Sequence, residues 1–277
     1  MGIRAAAVAG TWYPGTATAL ATAVDGHLSS ADADDVHVRG DLVALIAPHA
    51  GLKYSGPVAA HAYRLLRDRV FDVAVLVGPS HFAGFDGVAL YPSGEFETPF
   101  GVMSIDAECA RTIAAACPVV HDHPGVHVRE HSLEMQLPFL ARLASTVSIV
   151  PLLMGYQTAE TAASLGDALA VAVRGRRALL IASTDLSHYH DARAASALDR
   201  VVLDCVARFD ADDLQAALSV TPEHACGGGP MVAVMRAARA AGARDARILN
   251  YADSGDVSGD KSSVVGYLAA ALGTFAN

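Results

Sequence analysis

The chain has 277 residues, of which 52% are hydrophobic, and it carries a formal net charge of −9 with only two lysines, Lys53 and Lys261. Binding to a nucleic acid backbone or to an anionic membrane surface requires clustered cations, so neither partner is expected. The longest apolar runs, residues 148–156 and 264–272, are too short to span a bilayer. The N-terminus lacks the apolar stretch of a secretory signal, which predicts a cytoplasmic location.

Short, continuous apolar runs alternate along the chain with segments of helical periodicity. Such runs predict strands that are buried on both faces, as in a largely parallel or mixed central sheet. The predicted strands cover residues 42–47, 73–77, 147–153, 178–182 and 246–251. The predicted helices cover residues 56–68, 107–116, 130–143, 159–173, 192–209 and 231–241. This alternation predicts an α/β fold, a single three-layer α/β/α domain that spans residues 1–277.

Polar side chains follow three of the predicted strands, at the point where each strand ends. His49 follows the first strand, His81 follows the second, and Asp185 and His188 follow the fourth. In open α/β sheets, ligands bind beyond the carboxyl ends of the strands, where the loops converge. A single loop histidine is more often a solvated residue than a ligand, but three of them at matching positions indicate a site. Asp185 and His188 are expected at its rim, as a proton-transfer pair or as partners of a ligand.

Four cysteines are spread along the chain without paired spacing, which predicts free thiols and no disulfide framework. Cys109, Cys117 and Cys205 lie in Ala-rich helical surroundings and are expected to be buried. Cys226 precedes three glycines and a predicted helix. A helix N-terminus favours the thiolate and lowers the pKa of a thiol, so Cys226 is predicted to act as a ligand or a nucleophile.

A second polar cluster covers residues 130–136 and opens a predicted apolar helix. Its acids suit the first turn of a helix through the macrodipole, and His131 and Glu134 would share one helix face. The cluster is not the H-E-x-x-H motif of zinc proteases. The sequence also contains no Walker P-loop, no G-x-G-x-x-G after a strand and no G-x-S-x-G elbow, which disfavours nucleotide chemistry and serine hydrolysis.

Together these motifs resemble the Memo family, the AmmeMemoRadiSam system protein B-like proteins, over residues 5–272. The matching motifs are AGTWYP at 9–14, APHAG at 47–51, GPSH at 78–81, EHSLEMQLP at 130–138, STDLSH at 183–188, CG at 226–227 and NY at 250–251. The resemblance implies a fold like that of the LigB-type class III extradiol dioxygenases. It also implies a functional link to radical-SAM and AMMECR-type proteins, whose genes often lie beside those of prokaryotic members.

The resemblance places a metal ion on His49, His81 and Cys226, with Asp185 and His188 as candidate catalytic residues beside it. It also suggests that Trp12, Tyr13 and the face formed by His131 and Glu134 line the entrance and bind the substrate. Extradiol dioxygenases use two histidines and one carboxylate, whereas a thiolate favours softer metals. Iron or copper is therefore expected, with zinc as a further option, and dioxygenase activity does not follow from the fold.

Three hypotheses stay open at this point. The first is a metal-dependent, dioxygenase-like oxidoreductase that acts on a small molecule. The second is a metal-free thiol enzyme with Cys226 as nucleophile and His49 or His81 as base. The third is a non-catalytic module that binds a peptide or partner protein in the same cleft, or hands a metal to one.

Overall fold

This computed structural model describes residues 2–32 and 38–276 of the chain. Strands β1 to β12 are Ile3–Arg4, Gly40–Ala47, Val73–Pro79, Val88–Leu90, Glu95–Thr98, Gly101–Ser104, Val120–Asp122, Ser148–Met154, Ala178–Ser183, His188–His190, Asp245–Asp253 and Val264–Phe275. Helices α1 to α9 are Ala17–Asp32, Leu52–Tyr63, Ala107–Ala116, Leu137–Leu143, Ala159–Ala172, Ala192–Ala207, Ala211–Val220, Gly228–Ala240 and Gly255–Ser258.

A large mixed sheet has the strand order β10-β12-β2-β9-β3-β8-β4-β7, and β11 also pairs with β12. Its centre is parallel, because β9 pairs in parallel with both β2 and β3, and β3 pairs in parallel with β8. The last strand, β12, runs antiparallel to β2 and to β11. A small separate sheet has the order β1-β5-β6. The carboxyl ends of β2, β9 and β3 therefore lie side by side at one edge of the large sheet.

Helices cover both faces of the large sheet, which confirms the predicted three-layer α/β/α architecture. One apolar cluster packs α3, α5, α6, α7 and α8 against the sheet, and a second packs α1, α2 and α4 against the opposite face. The strands β3 and β9 are almost fully buried, as their continuous apolar runs predict. Cys109, Cys117 and Cys205 are buried free thiols. No helix in the described part of the chain has both the length and the apolar character needed to cross a bilayer.

The predicted helix over residues 130–143 is shorter in the structure. Its α-helical part begins only at Leu137, after a short 3₁₀ turn at Glu134–Gln136. The Glu130 carboxylate accepts the backbone N–H groups of His131 and Ser132, each at 2.9 Å, and these bonds hold the segment in a turn. Residues 130–133 therefore form a loop at the sheet edge.

The loop that follows β9 is tied to its surroundings by a buried carboxylate on α6. Asp199 accepts the backbone N–H of Ser187 at 2.9 Å and the hydroxyl of Tyr251 at 2.8 Å. Gly266 on β12 adds two backbone hydrogen bonds, to Leu186 and Ser187. A Cβ atom at Gly266 would lie 2.0 Å from Asp199 Oδ2, so glycine is required for this close approach.

We expect Gly266→Ala to destabilise the protein by about 1–3 kcal/mol, because the added methyl group must displace the Asp199 carboxylate. Gly26→Ala provides the control, since Gly26 is exposed within α1 and its Cβ would meet nothing within 4 Å. That change should stabilise the protein by about 0.5–1 kcal/mol through helix propensity. Urea unfolding of both variants measures the difference, and equal stability of the two would contradict the prediction.

Candidate metal centre

The three strand-end histidines meet in one cavity at the carboxyl edge of the sheet. Its volume is about 730 Å³. The cavity, called the front cavity below, is lined by Thr11, Trp12, His49, Ala50, Gly51, Lys53, Tyr54, His81, His131, Asp185, His188, Tyr189, Cys226 and Val265. The parallel arrangement of β2, β9 and β3 explains this convergence, because their following loops leave the sheet at the same edge.

The hydrogen bonds of a buried serine determine which nitrogen of His49 carries a proton. Ser183 donates its hydroxyl hydrogen to the carbonyl of Ser132 at 2.6 Å. Toward His49 Nδ1, 3.0 Å away, the same hydroxyl oxygen can therefore only accept. The proton of the neutral imidazole is thereby placed on Nδ1, which leaves the lone pair on Nε2. Burial lowers the pKa of His49 well below its usual value, so the neutral form persists.

His81 is held in the same tautomer by a carboxylate. Its Nδ1 lies 2.9 Å from Glu130 Oε1, and its backbone N–H donates to Glu130 Oε2 at 2.6 Å. An ionised carboxylate only accepts hydrogen bonds, so Nδ1 carries a proton, and in the neutral imidazole the lone pair is on Nε2. A carboxylate that orients an imidazole through its outer nitrogen is a recurring feature of metal-binding histidines.

Cys226 brings its sulfur to the same point from the N-terminal side of α8. Its Sγ lies 3.2 Å from His49 Nε2 and accepts the backbone N–H of Asp185 at 3.3 Å. The next residue, Gly227, packs so closely that a Cβ would lie 2.5 Å from the carbonyl oxygen of Ser183. Glycine is thus required to bring the cysteine against the end of β9.

The sequence-based prediction of a lowered thiol pKa is wrong for the protein without a bound cation. Burial raises the pKa of Cys226 far above its usual value, and the Asp185 carboxyl raises it further. The nearby helix N-terminus does not outweigh the desolvation of a buried thiolate. A thiolate at this position therefore requires a cation in contact with it.

The donor set fits a transition-metal ion. One ligand atom from each of His49, His81 and Cys226 lies within 4.8 Å of the others. Metal–nitrogen and metal–sulfur bonds are about 2.0–2.3 Å long, so two atoms that bind the same ion lie within about two bond lengths of each other. A second group, His81, Glu130 and His131, also satisfies the distance. In that group, however, the Glu130 carboxylate is already occupied by four N–H groups.

Asp185 and His188, the predicted catalytic residues, both line the front cavity. The Asp185 carboxylate accepts the backbone N–H groups of His49 at 2.7 Å and Ala50 at 3.3 Å. Burial raises its pKa from 3.8 to about 7, although these bonds act in the opposite direction. His188 Nδ1 lies 2.8 Å from the carbonyl of Leu186, so Nδ1 is the donor and Nε2 is the free acceptor.

Only two of the four predicted substrate-binding residues reach the cavity. Trp12 and His131 line it, with ring centroids 4.2 Å apart, and His131 also stacks on His81 at 4.5 Å. Tyr13 and Glu134 do not line it, which corrects the expectation for both. They are buried behind the wall of the cavity, where the Tyr13 hydroxyl donates to Glu134 Oε1 at 2.8 Å.

Glu134 instead anchors the N-terminal segment that carries Trp12. Its carboxylate forms a buried ion pair with Arg4 and accepts the backbone N–H groups of Ala7 at 2.8 Å and Val8 at 2.9 Å. Together with the bond from Tyr13, these contacts satisfy both carboxylate oxygens. The role of Glu134 is therefore to hold in place the segment that carries Trp12 to the wall of the front cavity.

Sequence reasoning missed the residues that hold the proposed ligands. They are Glu130 and Ser183 behind the histidines, and Gln136, which donates to Ser183 at 2.7 Å. It also missed Lys53 and Tyr54 in the lining of the cavity. Glu130 and Gln136 lie in the polar segment 130–136, whose acids the helix macrodipole alone can explain. Their distance in sequence from the histidines does not indicate a contact, because the hydrogen bonds join distant segments.

The chain matches the Memo-like protein family over residues 4–271. The chain is a member of the Memo family. A MEMO1 family protein of Methanothermobacter thermautotrophicus is 39% identical to it over 272 residues, covering 96% of this chain and 98% of the relative. Memo relatives of Methanosarcina mazei and Nitrosopumilus maritimus are 38% and 33% identical, again with coverage of at least 96% of each chain.

A solved structure shows the same fold at low sequence identity. The crystal structure of the uncharacterized protein JW3007 from Escherichia coli K12 superimposes on this Memo protein with a TM-score of 0.53 and 17% identity. The match covers 82% of this chain and 99% of the other. The α/β fold class predicted from the sequence is thereby confirmed.

The raised pKa of Asp185 predicts a specific pH dependence of stability in the metal-free Memo protein. The protonated carboxyl favours the folded state, and this contribution is lost as the pH rises from about 4 to about 7. Asp185→Asn cannot ionise, so its stability relative to wild type should increase over this range by roughly 2 kcal/mol or more and then level off. Urea unfolding with a chelator present measures it, and a difference that is constant with pH would refute the assignment.

Proposed function

We propose that this Memo protein binds one iron or copper ion through His49, His81 and Cys226 and performs redox chemistry on a small organic molecule in the front cavity. The observation that carries the proposal is the shared tautomer of the two histidines. Ser183 and Glu130 hold the two Nδ1 protons, so both Nε2 lone pairs are available beside the Cys226 sulfur. Two neutral imidazoles and one thiol within 4.8 Å are a donor set for a single metal ion.

The donor types favour a redox-active metal. Imidazole suits iron, copper and zinc, and a thiolate favours the softer members of this group. All three of these residues line the front cavity, and three protein ligands would leave coordination positions open, as catalytic metal sites require. When bound, iron or copper would supply one-electron exchange with a molecule in those positions. Zinc fits the same ligands but would supply only Lewis acidity.

The other cavity residues would control protons and water around that molecule. Asp185, with its pKa near 7, can hold or release a proton close to the metal ligands. The free Nε2 of His188 offers a second proton acceptor on the same wall. His131 stacks on His81, and Trp12 packs at a tilt against His131, so that these two rings would limit the access of water to the proposed ligands.

The contact between Cys226 and His49 also raises the thiol-enzyme alternative. A Sγ–Nε2 distance of 3.2 Å is within reach of proton transfer from a nucleophile to its base. We favour the metal because burial raises the pKa of the thiol and lowers that of the imidazole, which opposes a thiolate–imidazolium pair. Activity that persists after complete metal removal would support the thiol enzyme instead.

Replacement of the sulfur ligand tests the proposal directly. We expect wild-type protein, reconstituted without oxygen, to bind one iron(II) or copper(I) ion and then to consume oxygen when a substrate is supplied. Cys226→Ser should lose at least about tenfold in metal affinity, because a neutral hydroxyl replaces the thiolate. Cys205→Ser is the matched control, since Cys205 is a buried thiol on α6 away from the cavity. Equal metal binding by the two variants would exclude Cys226 as a ligand.

The supporting carboxylate gives an independent prediction. Glu130→Gln removes the negative charge that orients His81, and loss of such a partner typically weakens metal affinity by about 10–100-fold. Glu160→Gln is the control, because Glu160 is exposed in the first turn of α5 and contacts neither histidine. Competition titration against a coloured chelator measures both affinities. Unchanged affinity in Glu130→Gln would show that His81 does not ligate the metal.

A further inference from the structure

A second cavity reaches Cys226 from another side. This side cavity has a volume of about 510 Å³ and is lined by His188, Tyr189, His190, Pro222, Glu223, Ala225 and Cys226. Three of these residues, His188, Tyr189 and Cys226, also line the front cavity. They therefore form the partition between the two cavities, so the proposed metal centre can be approached from the side cavity as well as from the front. A third cavity, of about 540 Å³, also includes Cys226 in its lining, but it has no charged residue and no histidine to attract or bind a cation.

The two approaches differ in charge. The front cavity is lined by Lys53 and, at its base, by the buried Asp185. The other lysine, Lys261, is paired with Asp253 and Asp256. The side cavity has the exposed carboxylate of Glu223 and, among its lining residues, no lysine or arginine. A metal cation is attracted toward the side cavity, whereas the cation at the front opposes its approach and favours anions.

The side cavity also offers donor atoms that metal ions bind. His190 and Glu223 lie toward the solvent, and the Nε2 of His188 is free because its Nδ1 lies 2.8 Å from the carbonyl of Leu186. Among the described residues, His190 and Glu223 belong to no set of three donors within 4.8 Å. An ion could therefore contact one or two of these donors at a time but would not be retained by them.

The partition contains a strained residue. Tyr189 has a φ of 64°, a left-handed conformation that among the described non-glycine residues only Phe209 shares. It forms a bulge between His188 and His190 where β10 pairs with β12, and its side chain is 79% exposed. Strain of this kind is retained only where the surrounding structure requires it. In this protein the bulge separates the two histidines at the boundary of the two cavities.

We propose that the side cavity is the entry route of the metal ion, with Glu223 and His190 as first contacts and His188 as the last contact before Cys226. The proposal rests on the proposed function, since it assumes that a metal occupies the centre. It assigns the two approaches to different reactants: the metal cation enters from the side, and the organic molecule enters from the front.

The test measures the rate of metal loading separately from metal affinity. Metal-free full-length protein is mixed with cobalt(II) in a stopped-flow instrument, and the thiolate-to-cobalt absorption reports arrival at Cys226. In the double variant His190→Gln/Glu223→Gln, loading should be about tenfold slower, because the attracting charge and the transient ligands are absent. Release to a strong chelator should slow by the same factor, so that the equilibrium affinity is unchanged.

Two controls define the other outcomes. His121→Gln/Glu160→Gln removes the same residue types from exposed positions outside both cavities and should load at the wild-type rate. Lys53→Gln should also load at the wild-type rate. Unchanged loading in the His190/Glu223 variant, or faster loading in Lys53→Gln alone, would overturn the route. A lower affinity in the His190/Glu223 variant would instead make these residues permanent ligands and also overturn it. Failure of wild-type protein to bind cobalt would refute the metal centre itself.

Discussion

The geometry of the site depends on the hydrogen bonds that one carboxylate accepts. Glu130 receives the backbone N–H and the Nδ1 proton of His81, and the backbone N–H groups of His131 and Ser132. Burial alone would raise its pKa, but the hydrogen bonds from His81 and Ser132, together with the positive charge of a protonated His81, lower it to about 2. The carboxylate is therefore ionised at every ordinary pH, and the Nδ1 of His81 must donate to it. The loop after β3 is thereby locked to the segment that precedes α4.

Glu130 is ionised, whereas the groups in the interior of the site are shifted toward their neutral forms. His49, Asp185 and Cys226 are desolvated together, and burial shifts the pKa of each toward its neutral form. The neutral state suits His49 as an imidazole ligand but does not suit a thiolate at Cys226. A positive ion among these groups would reverse the balance for Cys226, because its charge replaces the solvation that burial removed. Polar groups are thus concentrated where a cation would compensate for their burial.

The sequence predicted the parts of this arrangement that follow from strand periodicity. The continuous apolar runs identified the buried parallel strands, and the residues after them gave His49, His81, Asp185 and His188. The segment 264–272 is recognisable from the sequence only as apolar, because a short apolar run is compatible with either a helix or a strand until its partners are known. The prediction of a lowered pKa for Cys226 is wrong because the position before a helix can be recognised in the sequence, whereas the depth of burial cannot.

Glu134 was expected to line the cavity but lies behind its wall, and its contacts show that one motif can hold two separate segments. Helical spacing predicts that Glu134 shares one helix face with His131, yet residues 130–133 form a loop. The His131 ring stacks on His81, whereas the Glu134 carboxylate contacts Tyr13. Glu130 binds the loop that carries a proposed ligand, and Glu134 binds the N-terminal segment through Arg4 and two backbone N–H groups. One short segment therefore fixes both the proposed ligand, His81, and the wall that covers it, Trp12. A change at either glutamate would therefore alter the proposed site, because Glu130 holds the ring and backbone of His81 and Glu134 holds the segment that carries Trp12.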